Sequence, residues 1–413
     1  MSENMTDKGR MMPPKTHYNG WREPDNVRWH LRNMSTLPAL IMPRGDDVFE
    51  LKTGTAKDIE NLTYEFQGNQ LTLGDAIRAD CIDGYMVVQN GEVLFERYYD
   101  NFRAHDHHIW FSMTKSLIST AFGIAQAEFG IDESKTPADF LPELADSIFA
   151  QVSIRHVLNM VTALNYTEEY NEMTPGSVHF EYFRRLGFMG DFELLAIDPA
   201  QSDEPRGVRD MLPQFEQAGD GVTGAMFQYQ SPNVDVIGWL IERITGRALM
   251  DYMRDKLWAP LATEHDGVFT VDVSFAPVAT GGFNSTLRDA VRFGLMALGD
   301  GKLGDTQIAP AAWIADTYAM TEDDKKAGAA AVNADPNHER FIDGFSGYRS
   351  FWWQFDQSQG ERIAMGVHGQ VIYVNKAKNL VIANFASPTE TANQLRASFK
   401  QMLAGTRALA ASL

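Results

Sequence analysis

Residues 84–129 read GYMVVQNGEVLFERYYDNFRAHDHHIWFSMTKSLISTAFGIAQAEF, and they carry two structural signals side by side. In Gly84 to Asp100 two apolar-rich runs flank Asn90-Gly91, the dipeptide best suited to the left-handed central positions of a type I′ turn. This half predicts a β-hairpin. From Ser112 to about Phe129 the apolar residues Leu117, Ile118, Ala121, Phe122, Ile124 and Ala125 recur at helical spacing with few charges. This half predicts a largely buried helix with Ser112 at its N-terminal end.

Beyond this stretch, residues 133 to 345 read mostly as helices and loops with little strand pattern. Among them is NVDVIGWLIERIT, Asn233 to Thr245, which stops at Gly246 as helices commonly do. Strand character returns at Phe351 to Phe355, Arg362 to Val367, Val371 to Val374 and Leu380 to Phe385, and Thr389 to about Leu409 reads as a terminal helix. Strands near both ends with helices between them suggest one antiparallel sheet closed by the two chain ends and carrying a large helical insertion. The expected domain plan is a flexible leader over 1–20 and a single unit over 21–413, made of an α/β part (21–132 and 346–413) and a mainly helical insertion (133–345). Trp21 and Trp29 mark where the leader begins to pack. A cleft between sheet and insertion is the natural place for a site.

Of the 413 residues, 44% are hydrophobic, 11% aromatic and 22% charged, enough apolar material for a substantial core. The 36 Lys and Arg against 55 Asp and Glu leave a net charge of −19, a field that repels nucleic-acid phosphates and anionic membrane surfaces. Neither is an expected partner. The single cysteine, Cys81, allows no internal disulfide and no multi-cysteine metal site. The N-terminus has no apolar run of signal-peptide length, and no stretch reaches the ~18 apolar residues that a membrane span needs. A cytoplasmic location is the expectation.

Three segments bear chemistry. Ser112-Met113-Thr114-Lys115 puts a hydroxyl and an amine three residues apart, on one helical face, with Cβ atoms ~5 to 6 Å apart. A buried lysine loses affinity for its proton, so its amine could deprotonate the serine for nucleophilic attack. Alone, such a tetrapeptide arises by chance and then marks a solvated face; here it follows Trp110-Phe111 and opens an apolar helix, where an inward lysine needs a reason. Phe227 to Asn233, FQYQSPN, brings Tyr229 to the start of the next helix, either into a cleft or onto the core with its hydroxyl on backbone. Ala364 to Gln370, AMGVHGQ, is a glycine-punctuated strand: it is a plain bend, or an edge whose free N–H groups hold an oxyanion. His105-Asp106-His107-His108 lacks zinc-site spacing and reads as a polar turn. Gly-x-Ser-x-Gly and Walker patterns do not occur, and the two GxGxxG spacings, Gly219 to Gly224 and Gly299 to Gly304, follow no strand-like run as a dinucleotide-binding fingerprint does.

Together the segments HHIWFSMTKSL, LNYTEEY, FQYQSPNVDVIGWLIERITG, GGFNSTLRDAVRFG (from Gly281) and GVHGQ resemble the serine β-lactamase and penicillin-binding-protein superfamily, on its class C, DD-peptidase and esterase side. Within it the likeness is to the 6-aminohexanoate-dimer (nylon-oligomer) hydrolases, over most of the chain from about Trp21. The resemblance implies a β-lactamase-like α/β fold of an antiparallel sheet flanked by helices. It implies Ser112 as acylating nucleophile, Lys115 as its base partner and Tyr229 as the acid and base that protonates a leaving amine. Backbone N–H groups of Ser112 and Val367 would form the oxyanion hole, with Val371 the alternative second donor. Tyr170 looks like the tyrosine that closes over an amide substrate, Glu181 falls where an acid contacts the substrate's amino end, and Ser231, Gly366 and His368 fall in the substrate-binding positions. A solvated surface acid is the other reading of Glu181.

Two departures weigh against β-lactam hydrolysis: Ser231 stands where β-lactamases usually carry asparagine, and no Lys-Thr-Gly supplies a cation for a lactam carboxylate. The expected activity is therefore hydrolysis of linear amides through an acyl-enzyme, on a small-molecule substrate and without metal or cofactor. The rivals are a carboxylesterase of the same fold, a β-lactamase or DD-peptidase, and an idle binding domain. Similar hydrolases form homodimers, and the sequence leaves the oligomeric state open.

Overall fold

The computed structural model describes residues 26–34, 37–168, 174–188, 207–335, 340–391 and 396–413. The leader over 1–20, Trp21 and Tyr170 lie outside the described residues. In chain order the strands are β1 (Ala39–Met42), β2 (Lys52–Thr53), β3 (Thr63–Phe66), β4 (Asn69–Thr72), β5 (Ile82–Gln89), β6 (Glu92–Tyr98), β7 (His108–Ile109), β8 (Gly267–Thr270), β9 (Phe283–Ser285), β10 (Lys302–Leu303), β11 (Thr306–Gln307), β12 (Gly347–Arg349), β13 (Trp352–Gln354), β14 (Glu361–Gly366), β15 (Gln370–Asn375) and β16 (Leu380–Ala386).

Among the described residues the main sheet has eight strands in the order β12-β13-β14-β15-β16-β5-β6-β2, so the C-terminal meander pairs through β16 with the N-terminal hairpin. The hairpin forms as its turn residues dictate, with Asn90 at φ 55° and Gly91 at φ 78° between the paired Gln89 and Glu92. Buried strands read as near-continuous apolar runs because both faces are covered, and all seven residues of β16, LVIANFA, are buried. One face lies under the helix Leu287–Leu298, whose Gly294 sits against Val381 and Ile372. On the opposite face the terminal helix Ala397–Ser412 brings Thr406 Oγ1 to 3.1 Å from Tyr85 OH. This helix starts later than the expected Thr389.

The sheet is not wholly antiparallel: β2 runs parallel to β6, pairing Lys52 with Glu92 and Thr53 with Val93. The middle region also holds strands that the sequence reading assigned to loops. Four strands in the order β1-β8-β9-β7 make a second sheet, and β10 and β11 form a hairpin. Strands of two to four residues are too short for an alternating pattern to show. The second sheet fixes where the serine-bearing turn begins, because β7 ends immediately before Trp110. No helix among the described residues is long and apolar enough to cross a membrane.

Candidate active site

Ser112 lies in a tight 3₁₀ turn, Phe111–Met113, that leads into the helix Thr114–Phe129. The turn is held from three sides. Trp110 N–H donates to Phe283 O at 2.8 Å and its indole N–H to Ser285 Oγ at 2.9 Å, both on β9. Ser116 Oγ donates to Phe351 O at 2.7 Å, and the Phe283 N–H donates to Thr114 Oγ1 at 3.3 Å. Phe111 is forced to φ 45°, a left-handed conformation that costs energy for an aromatic residue and persists only where its surroundings fix it. The expected helix therefore begins two residues later than Ser112.

The glycine strand comes up against this turn. A Cβ on Gly366 would stand 2.1 Å from the Trp110 carbonyl oxygen, so only glycine lets β14 approach so closely. Gly366→Ala should displace the strand from the turn and cost about 1 to 3 kcal/mol, as overpacking does. Thermal or denaturant unfolding measures this, and an unchanged unfolding midpoint would show that the contact is slack.

Lys115 Nζ lies 2.8 Å from Ser112 Oγ and donates to Thr280 O at 2.8 Å. The side chain is 1% exposed. Burial lowers its pKa to about 8, against the raising effect of the Glu168 and Asp235 carboxylates. Roughly a tenth of the amine is then neutral at pH 7, a few hundred times more than for a solvated lysine. Tyr229 hydrogen-bonds to Ser112 and to Tyr348. Its ring stacks on Trp353 at 5.3 Å, with Lys115 Nζ 5.2 Å from its centroid. Burial pushes the Tyr229 hydroxyl well above its ordinary range, and Tyr348 and Glu168 push it further, so it stays protonated.

Ser112, Lys115 and Tyr229 are thus brought together as the sequence suggested. Val367, half-buried, follows Gly366 at the end of β14, whereas Val371 lies inside β15 between Met365 and Asn384. Ser231 is almost fully buried, its N–H donating to Glu168 Oε2 at 2.9 Å and its Oγ–H to Oε1 at 2.8 Å. His368, at φ 61°, is fully buried: Nδ1–H donates to Pro388 O at 2.8 Å and the ring lies 5.6 Å from that of Phe111. It supports the turn from behind. Glu181 is 31% exposed and paired with Arg184 at 2.8 Å on its own helix, Val178–Arg185, which is the geometry of a solvated ion pair. The histidine-rich turn divides among separate partners, His107 Nε2 bonding Asp266 O and His108 lying against Asp83. No metal-ligand cluster is found among the described residues.

Sequence reasoning missed Glu168, Thr280, Asp235, Tyr348 and Trp353. Glu168 stood inside the segment LNYTEEY, and Asp235 was an acid within an apolar helix; both signals were legible. Thr280 contributes through its carbonyl, which any residue has.

The family model for Beta-lactamase matches residues 83–398. The chain is 27% identical over 368 residues to the 6-aminohexanoate-dimer hydrolase of Paenarthrobacter ureafaciens, covering 89% of this chain and 87% of that protein. A Bacillus anthracis protein provisionally named a 6-aminohexanoate-dimer hydrolase superposes with a TM-score of 0.80 at 21% identity, over 97% of this chain and 99% of its own. EstCE1, a hydrolase with promiscuous acyltransferase activity, superposes at 0.55 with 15% identity, over 81% and 98%. With the match spanning both halves of the main sheet and the Ser112 turn, the chain belongs to the beta-lactamase family, of the serine hydrolase fold.

Proposed function

We propose that the protein hydrolyses linear amides through an acyl-enzyme on Ser112. The observation that carries this reading is the buried Lys115 amine, 2.8 Å from the Ser112 hydroxyl and partly neutral near pH 8. The Ser112 proton passes to Lys115 Nζ as Oγ attacks the carbonyl carbon, and the oxyanion rests on the N–H groups of Ser112 and Val367. Collapse breaks the C–N bond while Tyr229 gives its proton to the leaving nitrogen. Lys115 then passes the proton it took to the Tyr229 phenolate, which resets both groups, and water in place of Ser112 repeats the sequence on the acyl-enzyme to release the acid and restore the Ser112 hydroxyl. Likeness to the Paenarthrobacter hydrolase supports an amide over a lactam, as does the lack of a Lys-Thr-Gly cation. The ion-paired Glu181 and the buried Ser231, Gly366 and His368 are weaker elements of the substrate site than the half-buried Val367.

Intact mass after brief incubation with short linear amides and esters tests the reading. An acyl adduct that maps to Ser112 and forms with amides supports it; turnover of esters alone would make the protein a carboxylesterase.

Tyr229→Phe separates the two chemistries. An amine must be protonated to leave, so amide turnover should fall roughly a hundredfold to ten-thousandfold, the usual worth of a general acid. A p-nitrophenyl ester leaves as a stable phenolate and should lose far less. Equal losses on both substrates would remove the proton-donor role from Tyr229.

A further inference from the structure

Asp235 is a buried acid, 7% exposed, on the helix Pro232–Thr245, and no step of the proposed reaction uses it. A carboxyl group is expensive to bury, and buried acids beside a cleft are often there for function. Both of its oxygens are engaged. Oδ1 accepts the Thr280 N–H at 3.2 Å, and Oδ2 accepts the hydroxyl of the fully buried Tyr182. Thr280 in turn accepts from Lys115 Nζ at 2.8 Å through its carbonyl, and its Oγ1 donates to Ser231 O at 3.3 Å.

The direction of the Lys115 amine depends on this chain of contacts. A neutral amine has two hydrogens and one lone pair. With one hydrogen held by Thr280 O, the lone pair can face the Ser112 hydroxyl; were Thr280 to shift, the amine would turn away. Tyr182 belongs to the helix Val178–Arg185. We propose that the buried Asp235–Tyr182 pair is a positioning device, which fixes through Thr280 the direction in which Lys115 presents its amine to Ser112 and ties that direction to the helix Val178–Arg185. The inference rests on Lys115 acting as the base of Ser112.

The charged and titratable groups facing this pair come from several elements. Lys115 faces it from the helix Thr114–Phe129, Tyr166 from the segment ahead of the helix Val178–Arg185, and Asp272 from the loop after β8. Arg209 lines a small cavity with Asp235 and Asp272 and is paired with Glu242 at 2.6 Å, and Glu168 acts on the same lysine. Burial is the main cause that raises the Asp235 pKa to about 7, so its charge changes within the working range. Ionised, it favours the protonated lysine.

The test is the pH dependence of Ser112 labelling by a fluorophosphonate probe in Asp235→Asn and Tyr182→Phe. Asp235→Asn keeps the shape, removes a negative charge beside Lys115 and replaces one acceptor by a donor. The acid limb should move to lower pH by several tenths of a unit or more, and the plateau rate should fall about tenfold. Tyr182→Phe keeps every charge and should lower the plateau severalfold, with thermal unfolding within a few degrees of wild type. A purely structural role would change the thermal midpoint and leave the limb where it was. Wild-type limb and plateau in a folded Asp235→Asn would overturn the proposal, and so would a wild-type plateau in Tyr182→Phe if the first variant does not fold. Failure of the wild type itself to label at Ser112 would instead count against the proposed function.

Discussion

Ser112→Ala is expected to reduce amide and ester hydrolysis at least a thousandfold and to abolish labelling by a fluorophosphonate, with the fold retained. The magnitude comes from the chemistry: without Oγ no acyl-enzyme forms, and what catalysis remains must come from a water that neither Lys115 nor the turn is built to place. The structural cost is small. Ser112 is not a helix cap; among the described residues its hydroxyl meets only Lys115 and Tyr229, and the turn is held instead by Trp110, Thr114 and Ser116. Removal of one hydrogen-bonded oxygen therefore costs about 1 to 2 kcal/mol. A folded variant with more than about 1% of wild-type turnover would mean that another nucleophile does the work, since loss of a covalent nucleophile leaves far less than that.

How much of the molecule was legible depends on whether a feature is local. The hairpin was, because Asn90-Gly91 fits a turn that other residues resist, and so was the helix ending at Gly246, which takes φ 65°. The main sheet was legible from apolar runs. The second sheet was not, since β8 and β9 owe their strand geometry to pairing with each other and with β1 and β7 rather than to any pattern of their own. At the site the distinction recurs. Ser112 and Lys115 are three residues apart across the 3₁₀ turn that opens the helix, and their contact is local in sequence. Asp235 is joined to Lys115 by hydrogen bonds through Thr280, and Glu168 grips Ser231 from 63 residues away. Such pairings are products of tertiary packing, and the sequence offers only the oddity of an acid among apolar neighbours.

Lys115→Met should be inactive and yet no less stable than wild type near neutral pH. The loss of activity, expected to exceed about a thousandfold, arises because an unassisted serine hydroxyl is a poor nucleophile and no other base contacts Ser112 Oγ among the described residues. In the wild type, kcat/KM should rise with pH through about 8 as Lys115 loses its proton. Stability is tied to the same shift, whose folded-state pKa lies below the unfolded value of 10.5. The unfolded chain then binds more protons between about 8 and 10.5, so stability rises with pH across that window, and below pH 8 the folded state carries the full cost of the buried charge. At 1.36 kcal/mol per pKa unit that cost is about 3 kcal/mol. Methionine fills similar space without a charge, so below pH 8 the variant should unfold at an equal or higher temperature, and the difference should narrow above about pH 9. Part of the gain is offset because Glu168 and Asp235 lose their nearby cation. Denaturant unfolding at pH 7 and pH 10 on both proteins checks the sign. A variant markedly less stable at pH 7 would show that Lys115 is held there as a structural cation, and not as an amine kept poised to take the Ser112 proton.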